Sequence, residues 1–290
     1  MAQILLGEPV AAAIDEKMAL RRIALKNKGI TPTLAIVRVG DRGDDISYER
    51  SVMNHCEGVG VEVRQVLLPA GTTEDALVQE IKNLNTDASI HGVLLFRPLP
   101  EEIDDDRVRN ALSPEKDVDG ITDSSLIGVF TGSGVGFPPC TPQACIEIMD
   151  HYSIDLRGKK AVVVGRSLVV GRPAAMMLLS RNATATICHT KTVDMPAVCR
   201  EAEILIISAG HASMIGKEYL SVGQVVIDVG INVNEDGSLS GDVNFEEADS
   251  IVDAITPVPG GVGTVTASVL IKHVLEAAEK RAETKCGPAI

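Results

Sequence analysis

The sequence predicts an α/β protein built of two domains, and three observations lead to this expectation. A chain of 290 residues is long enough for two domains of ordinary size. Short runs rich in β-branched residues alternate with longer segments of helical period, which is the pattern of parallel strands joined by helices. These runs form two series, one in each half of the chain, and each series predicts a parallel sheet of its own.

The first series supplies three strands with helices between them. The strands are predicted at "TLAIVRVG" (33–40), "VEVRQVLL" (61–68) and "GVLLF" (92–96). The helix between the first two carries Tyr48 and Val52, which are four positions apart and therefore share one face. The next helix is predicted to begin with a capping-box-like Thr72-x-x-Asp75. Its apolar face consists of Leu77, Ile81 and Leu84.

The second series follows "RGKK" and supplies four strands that read as buried and parallel. They are predicted at "AVVVG" (161–165), "ATATICH" (183–189), "EILIISAG" (203–210) and "QVVIDVG" (224–230). A helix from about Thr141 is expected to connect the two halves of the chain. The last helix, from Thr264 to about Arg281, has a long apolar face and is expected to return to the first domain.

Composition limits the class of protein. Hydrophobic residues make up 45% and charged residues 23% of the chain, which predicts a sizeable core and argues against disorder. The formal net charge of −13 disfavours nucleic acid as a partner, because backbone phosphates need a Lys/Arg face, although it is compatible with a local basic pocket for a phosphate. There is no apolar run of about 18 to 20 residues and no basic segment ahead of an apolar one at the N-terminus. The sequence therefore predicts a cytoplasmic protein that does not enter a membrane.

The cysteines and histidines carry no metal-binding pattern. The six His show no ligand spacing, and no C-x-x-C pair occurs, so no metal site is predicted. In a cytoplasmic protein the thiols are expected to be reduced and mostly buried. The six thiols are those of Cys56, Cys140, Cys145, Cys188, Cys199 and Cys286.

The segment "KKAVVVGRSLVVGRPAAMMLL" predicts a dinucleotide-binding loop. It joins a strand to a helix through a loop with Gly165 and Gly171, and the free amides of such a helix start suit a pyrophosphate. Since only two glycines are present, the pattern also fits a plain turn. The next strand ends in "CHTKT", which lacks the carboxylate that an NAD site places near the ribose hydroxyl. With Arg166 in the preceding loop, NADP is favoured over NAD.

Two further loops have a composition that suits a ligand. "TPVPGGVGTVT" (256–266) packs two prolines and three glycines between a strand and a helix, where it forms either a close approach to a planar ligand or only a tight turn. "PEKDVDGIT" places Asp117 and Asp119 before a glycine. One of these carboxylates is a candidate acceptor for a donor-rich ring, although acids in loops are often simply solvated.

Together these segments resemble the methylenetetrahydrofolate dehydrogenase/cyclohydrolase family. "KDVDG", "CTP", "VVGRP", "VIDVGIN", "GDV" and "TPVPGGVG" occur in family order and spacing, and the resemblance extends from about Leu5 to Lys280. It implies a catalytic domain that binds the tetrahydrofolate substrate (1–142 with 264–290) and an NADP-binding Rossmann domain (143–263), in an enzyme that is usually a homodimer. Such enzymes oxidise 5,10-methylenetetrahydrofolate by hydride transfer to the nicotinamide, and most then hydrolyse the methenyl product to 10-formyltetrahydrofolate.

The resemblance also implies roles for individual residues. Tyr48 matches the tyrosine that lines the folate site, and Asp119 matches the aspartate that holds the pterin edge, so both are candidate catalytic residues. Further substrate-binding positions are Phe96, Pro259, Gly260, Gly261, Val262 and Gly263. The positions that match NADP contacts are Gly165, Arg166, Ser167, Gly171, Thr190 and Ile231, with Arg166 and Thr190 placed for the 2′-phosphate.

The chain departs from the family pattern at two linked positions. The family has a lysine four residues after the tyrosine, where this chain has Val52, and a supporting glutamine where it has Phe96. Because an unpaired buried polar group is costly, the joint replacement predicts loss of a catalytic pair. Milder departures are Leu168, Thr264 and Val265.

We therefore expect dehydrogenase activity to be retained and cyclohydrolase activity to be weak, absent or carried by another group. Hydride transfer mainly needs geometry, whereas hydrolysis needs a positioned acid or base. His55 and Arg97 are candidate substitutes, although an arginine is not a base at neutral pH. The alternatives are a fully bifunctional enzyme, a folate- or NADP-binding protein without catalysis, and a different Rossmann dehydrogenase.

Overall fold

The computed structural model describes residues 1–286, with side chains described up to residue 283. Contacts between Cα atoms divide the chain into two compact units, each made of two chain segments. The six-stranded unit comprises Met1–Ala12 and Pro139–Thr266, and the three-stranded unit comprises Ala13–Pro138 and the residues from Ala267 onward. Each unit contains a parallel sheet flanked by helices, so the predicted two-domain α/β fold is confirmed.

The elements follow one another in α/β alternation. The strands are β1 (Gln3–Ile4), β2 (Thr33–Val39), β3 (Glu62–Leu68), β4 (Gly92–Leu95), β5 (Lys160–Val164), β6 (Thr184–Cys188), β7 (Ile204–Ile207), β8 (Val225–Asp228), β9 (Asn232–Val233), β10 (Leu239–Ser240) and β11 (Ala254–Ile255). The helices are α1 (Gly7–Asn27), α2 (Gly43–Val59), α3 (Glu74–Thr86), α4 (Asp105–Arg109), α5 (Asp123–Thr131), α6 (Cys140–His151), α7 (Gly171–Ser180), α8 (Met195–Arg200), α9 (Phe245–Asp249) and α10 (Val262–Cys286). A 3₁₀ turn lies at Lys217–Tyr219.

The three-stranded unit is built on a parallel sheet of order β3-β2-β4. Central strand β2 is buried almost throughout, as its unbroken apolar run predicts. Helix α3 buries the predicted face of Leu77, Ile81 and Leu84. The predicted helix start at Thr72 is wrong, because the Thr72 hydroxyl donates to the Pro69 carbonyl and Thr73 accepts the capping bond from the amide of Ala76.

The six-stranded unit has a parallel sheet of order β1-β11-β8-β7-β5-β6. Four adjacent strands, β8, β7, β5 and edge strand β6, are the four predicted from the second series. The two-residue strands β1 and β11 were not predicted, since two residues carry no periodicity. The chain leaves β5 toward β6 on one side and returns to β7 on the other, which places the topological switch point beside β5 at the carboxyl edge, where ligands bind in such sheets.

Helix boundaries differ from prediction at two places. Helix α6 begins at Cys140 rather than Thr141, a difference within the usual uncertainty of helix ends. Helix α10 begins at Val262 rather than Thr264 and extends beyond Arg281, so its first turn includes Val262 and Gly263 of the glycine-rich loop. The turn before it is built on Gly260, which has a φ of +102°.

The structure gives the state of five thiols. Cys56, Cys140, Cys145, Cys188 and Cys199 are buried and free of disulfides, and the Cys286 side chain lies outside the described residues. Burial raises the pKa of the Cys56, Cys145 and Cys199 thiols to about 12. Across residues 1–286, every helix is too short or too polar to cross a membrane.

Candidate active site

The loop between β5 and α7 requires glycine at both predicted positions. Gly165 has a φ of +127°, and a Cβ there would lie 2.4 Å from Ser208 Oγ. A Cβ on Gly171 would lie 2.2 Å from the Gly165 carbonyl oxygen. The backbone is therefore packed too closely for a side chain, which brings the first turn of α7 against the end of β5. This helix start at the carboxyl edge of the sheet fits the pyrophosphate of a dinucleotide.

The side chains around this loop divide into structural and exposed groups. The Ser167 hydroxyl accepts a hydrogen bond from the amide of Val170 at 3.0 Å, so it shapes the loop. Arg166 is exposed, and so is Thr190 in the turn after β6. Because β5 and β6 are neighbours, both loops end at the same edge, where a guanidinium and a hydroxyl suit a 2′-phosphate.

Ile231 belongs to the same edge through a different strand. It follows β8 and is 62% exposed, so its apolar side chain is accessible to a ligand at this edge. A Cβ on Gly263 would lie 3.5 Å from Ile231 Cδ1, so this side chain contacts the start of α10. The structure thus brings Ile231 together with the predicted loop of residues 259–263.

The glycine-rich loop is itself fixed by close backbone contacts. The amide of Gly7 donates to the Gly260 carbonyl at 2.7 Å. A Cβ on Gly261 would lie 2.5 Å from the Pro257 carbonyl oxygen, so glycine is required there. Pro259 and Gly260 are exposed, whereas Val262 is buried and anchors the helix start.

Two buried carboxylates, Asp228 and Asp242, hold the loops of this edge together, and the sequence analysis did not identify them. Asp228 accepts from the amides of Gly230, Asp242 and Val243 at 2.9 to 3.1 Å. Asp242 accepts from the amides of Ala209, Gly210 and His211 and from the Asn232 side chain at 2.6 to 2.9 Å. Burial raises the pKa of Asp228 to about 6, and the charge of Asp242 acts in the same direction.

A sequence signal for this pair does exist. Each aspartate packs against a glycine whose Cβ position is already occupied. Asp242 packs against Gly230, and Asp228 packs against Gly241. A Cβ on Gly230 would lie 2.3 Å from Asp242 Cγ, and a Cβ on Gly241 would lie 1.9 Å from Asp228 Oδ2. The patterns "DVG" and "GDV" therefore indicate a carboxylate packed against backbone.

In the three-stranded unit, Tyr48 lies against Phe96. Their ring centroids are 5.5 Å apart and their planes are inclined by 35°. Phe96 is 6% exposed and Tyr48 is 45% exposed, so a buried ring supports an accessible one. Val52 is 1% exposed on the same helix. The two positions at which the chain departs from the family pattern are therefore both apolar and buried.

Asp117 and Asp119 have different roles. Asp117 is fully buried and accepts hydrogen bonds from the amides of Ile121 and Thr122 and from the Ser125 hydroxyl. Asp117 also forms a parallel bridge with Val93 of β4, so the chain leaves toward the same carboxyl edge as Phe96. Asp119 is half-buried at that edge, on a loop that Asp117 holds in place.

The adjacent Val118 is also tied down, because its carbonyl accepts a hydrogen bond from Nδ1 of buried His273 at 2.8 Å. Asp119 therefore projects from a segment held on both sides.

The two candidate substitutes for the missing base are both engaged. Nε2 of His55 lies 2.8 Å from Asp15 Oδ2 and 3.3 Å from the Ser268 hydroxyl. Arg97 forms a bidentate pair with Asp105, with Nε 2.6 Å from Oδ1. Each of these two side chains is therefore held by a carboxylate of the same unit.

Helix α2 is anchored beside Tyr48 by a buried ion pair that the sequence analysis missed. Arg38 on β2 and Glu49 on α2 are 6% and 4% exposed, and Nε lies 2.8 Å from Oε2. Gln65 on β3 donates to the other oxygen of Glu49. The sequence does contain a sign of this pair, because Arg38 is a charged residue inside the apolar run of β2.

Comparison with known proteins agrees with this geometry. The family model described as the tetrahydrofolate dehydrogenase/cyclohydrolase catalytic domain matches residues 5–119, and the NAD(P)-binding domain of the same family matches residues 139–282. The chain is 48% identical to the bifunctional protein FolD of Carboxydothermus hydrogenoformans over 281 residues, which cover 96% of this chain and 98% of that protein. It is 45% identical to FolD of Alkaliphilus oremlandii over 277 residues, with 96% and 97% covered.

Solved structures show the same likeness. The bifunctional enzyme FolD, a methylenetetrahydrofolate dehydrogenase/cyclohydrolase from Campylobacter jejuni, superposes with a TM-score of 0.95 at 38% identity, covering 97% of this chain and 100% of that one. The Trypanosoma brucei FolD, solved with NADP and an inhibitor, gives a TM-score of 0.89 at 32% identity, with 96% and 98% covered. The resemblance noted in the sequence is confirmed, and the chain belongs to the tetrahydrofolate dehydrogenase/cyclohydrolase family.

Proposed function

We propose that this chain is an NADP-dependent methylenetetrahydrofolate dehydrogenase of one-carbon folate metabolism in which the cyclohydrolase step is weak or lost. The observation that carries the second part is the apolar pair of Val52, 1% exposed, and Phe96, 6% exposed, at the positions of the family lysine and glutamine. The FolD proteins of Carboxydothermus hydrogenoformans and Alkaliphilus oremlandii are named bifunctional, so the proposal separates this chain from them in the hydrolytic step.

The residues of each unit have separate tasks in this proposal. Tyr48 and Asp119 bind the folate, with the Tyr48 ring supported by Phe96 and Asp119 accepting from the pterin. Gly165 and Gly171 admit the NADP pyrophosphate, and Ser167 shapes their loop. Arg166 and Thr190 bind the 2′-phosphate, and Ile231 packs on the cofactor together with the loop of residues 259–263. Bound NADP accepts the hydride, so the protein supplies positioning rather than a base.

Hydrolysis makes a different demand. It needs a group that activates water and manages protons around a tetrahedral intermediate, a contribution of roughly 10²–10⁴-fold in rate. A valine and a phenylalanine supply neither function. The second candidate is the fully bifunctional enzyme, which the names of the relatives favour. By the same family likeness we propose a cytoplasmic homodimer.

The test is to supply 5,10-methylenetetrahydrofolate and NADP and to follow NADPH and methenyltetrahydrofolate together. Methenyl product that accumulates in equal amount with NADPH is the expected result. NADPH formed without methenyl accumulation, faster than spontaneous hydrolysis allows, would establish the bifunctional enzyme instead. Ligand binding without NADPH formation would remove the dehydrogenase proposal itself.

A further inference from the structure

A cavity of about 410 Å³ lies within the three-stranded unit, away from Tyr48 and Asp119. Its lining includes His91, which precedes β4, and Lys116, whose carbonyl accepts from the amide of Val93 near the start of β4. These residues stand at the amino edge of the parallel sheet, whereas Phe96 and Asp119 stand at its carboxyl edge. The cavity is therefore distinct from the candidate folate site.

The charges that line this cavity are mostly positive. Lys116, Lys280 and Arg281 contribute three positive charges and Glu115 one negative charge, which leaves a surplus of two with His91 neutral. This surplus is notable on a chain of formal net charge −13. Cations that converge on a recess attract anions, and they do so more strongly where water is partly excluded.

Lys116 is the innermost of these cations. It is 4% exposed, and Nζ donates to the carbonyls of Leu84 at 2.5 Å and Asp87 at 2.7 Å, at the C-terminal end of α3. These bonds use two of the three donors of an ammonium group. Burial and the nearby charge of Arg281 lower the pKa of Lys116 to about 8, so an anion beside it would offset both effects.

We propose that this cavity binds a small organic molecule carrying an oxyanion, a phosphate or a carboxylate, held by Lys116 and Arg281. The cavity volume lies in the range of about 300–1,000 Å³ that is typical of small-molecule sites and exceeds what an inorganic ion requires. Ser113 and Asn85 line the same space and shape its wall, because the Ser113 hydroxyl donates to Glu115 and the Asn85 side chain joins Ala111 to Ser113. This proposal is independent of the folate chemistry.

The test is calorimetric titration with inorganic phosphate in one arm and succinate in the other, at constant ionic strength and with NADP at saturation to fill the dinucleotide site. Arg281→Gln should weaken binding of the preferred probe by about tenfold, the equivalent of about 1.4 kcal/mol. Glu115→Gln should strengthen it, because it removes the one negative charge. Lys116 is left unchanged, since it also holds the carbonyls at the end of α3.

Arg157→Gln, at an exposed arginine of the six-stranded unit, is the matched control for net charge and should leave the affinity unchanged. The arm that binds more tightly identifies the oxyanion as phosphate or carboxylate. The proposal is overturned if neither probe binds at about 10 mM, if Arg281→Gln leaves the affinity unchanged, or if Arg157→Gln weakens it equally. Thermal unfolding of each variant confirms that the comparison is made on folded protein.

Discussion

The ring of Tyr48 rests on the ring of Phe96, with centroids 5.5 Å apart, at a position where relatives of this chain are expected to have a glutamine. Aromatic pairs of this spacing add about 0.5–1.5 kcal/mol beyond the area that they bury. Under the proposed function, Phe96 would stabilise the tyrosine of the folate site and would replace a polar group that hydrolysis needs. The same substitution would then account for a dehydrogenase without hydrolysis.

Restoring both polar residues should restore hydrolysis. We expect Val52→Lys with Phe96→Gln to raise the rate of methenyltetrahydrofolate hydrolysis by about 10²-fold or more, because a positioned acid or base contributes at that scale. The measurement is the decay of purified methenyltetrahydrofolate with each variant. Val52→Leu with Phe96→Leu is the control for packing and should leave hydrolysis at the wild-type level. An unchanged rate in a folded double variant would show that the missing pair is not what limits hydrolysis.

Shortening Phe96 should affect stability and substrate binding together. Phe96→Ala removes a ring that is 6% exposed, and such truncations cost about 3–5 kcal/mol of unfolding free energy. The Tyr48 ring then loses its support, so KM for methylenetetrahydrofolate should rise while KM for NADP stays constant. Urea unfolding and steady-state kinetics provide the two measurements. Equal changes in both KM values would argue for a general loss of structure.

Much of this architecture follows from the sequence, and the parts that do not have identifiable causes. The long strands were predictable because "AVVVG" and "EILIISAG" are continuous apolar runs, whereas β1 and β11 have two residues each. The start of α3 depends on which of the adjacent residues Thr72 and Thr73 caps the helix. The start of α10 depends on how tightly the preceding glycine turn packs. Both outcomes are decided by tertiary packing.

The site divides in the same way. Motifs of the family could nominate Asp119 and Arg166 in loops and Tyr48 on α2 as ligand-binding residues, and these roles stay predictions. Asp228 and Asp242 bind mainly backbone amides, several of them in loops distant in sequence, and the Arg38–Glu49 pair joins a strand to a helix. Contacts of this kind depend on tertiary packing and leave only indirect traces in the sequence.

Two glycines, Gly171 and Gly58, differ in whether the structure leaves room for a Cβ atom. A Cβ on Gly171 would lie 2.2 Å from the Gly165 carbonyl oxygen, so Gly171→Ala should weaken NADP binding by more than about tenfold and lower the thermal midpoint. Gly58 lies in α2 with nothing within 4 Å of its Cβ position, so Gly58→Ala should stabilise the protein by up to about 1 kcal/mol. Normal NADP affinity in Gly171→Ala would contradict the close packing of this loop.

Arg166 should determine the preference between the two dinucleotides. It is exposed on the loop beside Thr190, and neutralising it removes a charged partner of the 2′-phosphate. We expect Arg166→Gln to raise KM for NADP by about 10- to 100-fold and to leave KM for NAD nearly unchanged. Arg157→Gln serves as the charge control. A parallel rise in both KM values would place Arg166 at a part of the cofactor that the two dinucleotides share.

The Asp228 carboxylate should make folding depend on pH in a defined direction. Burial raises its pKa from 3.8 to about 6, so between these values the folded state binds the proton that the unfolded state has released. This contribution to stability is therefore fully present below about pH 4 and is lost as the pH rises through 6, and the difference corresponds to about 3 kcal/mol.

Because other groups titrate in the same range, the informative quantity is the difference between wild type and Asp228→Asn, which lacks this ionisation. The free energy of unfolding of the wild type relative to the variant, from urea titrations at pH 4 to 8, should fall across this window. The variant should be less stable at every pH, since its amide N–H₂ group faces the donors of Gly230, Asp242 and Val243. A difference that grew with pH would mean that these three amides lower the pKa of Asp228 more than burial and Asp242 raise it.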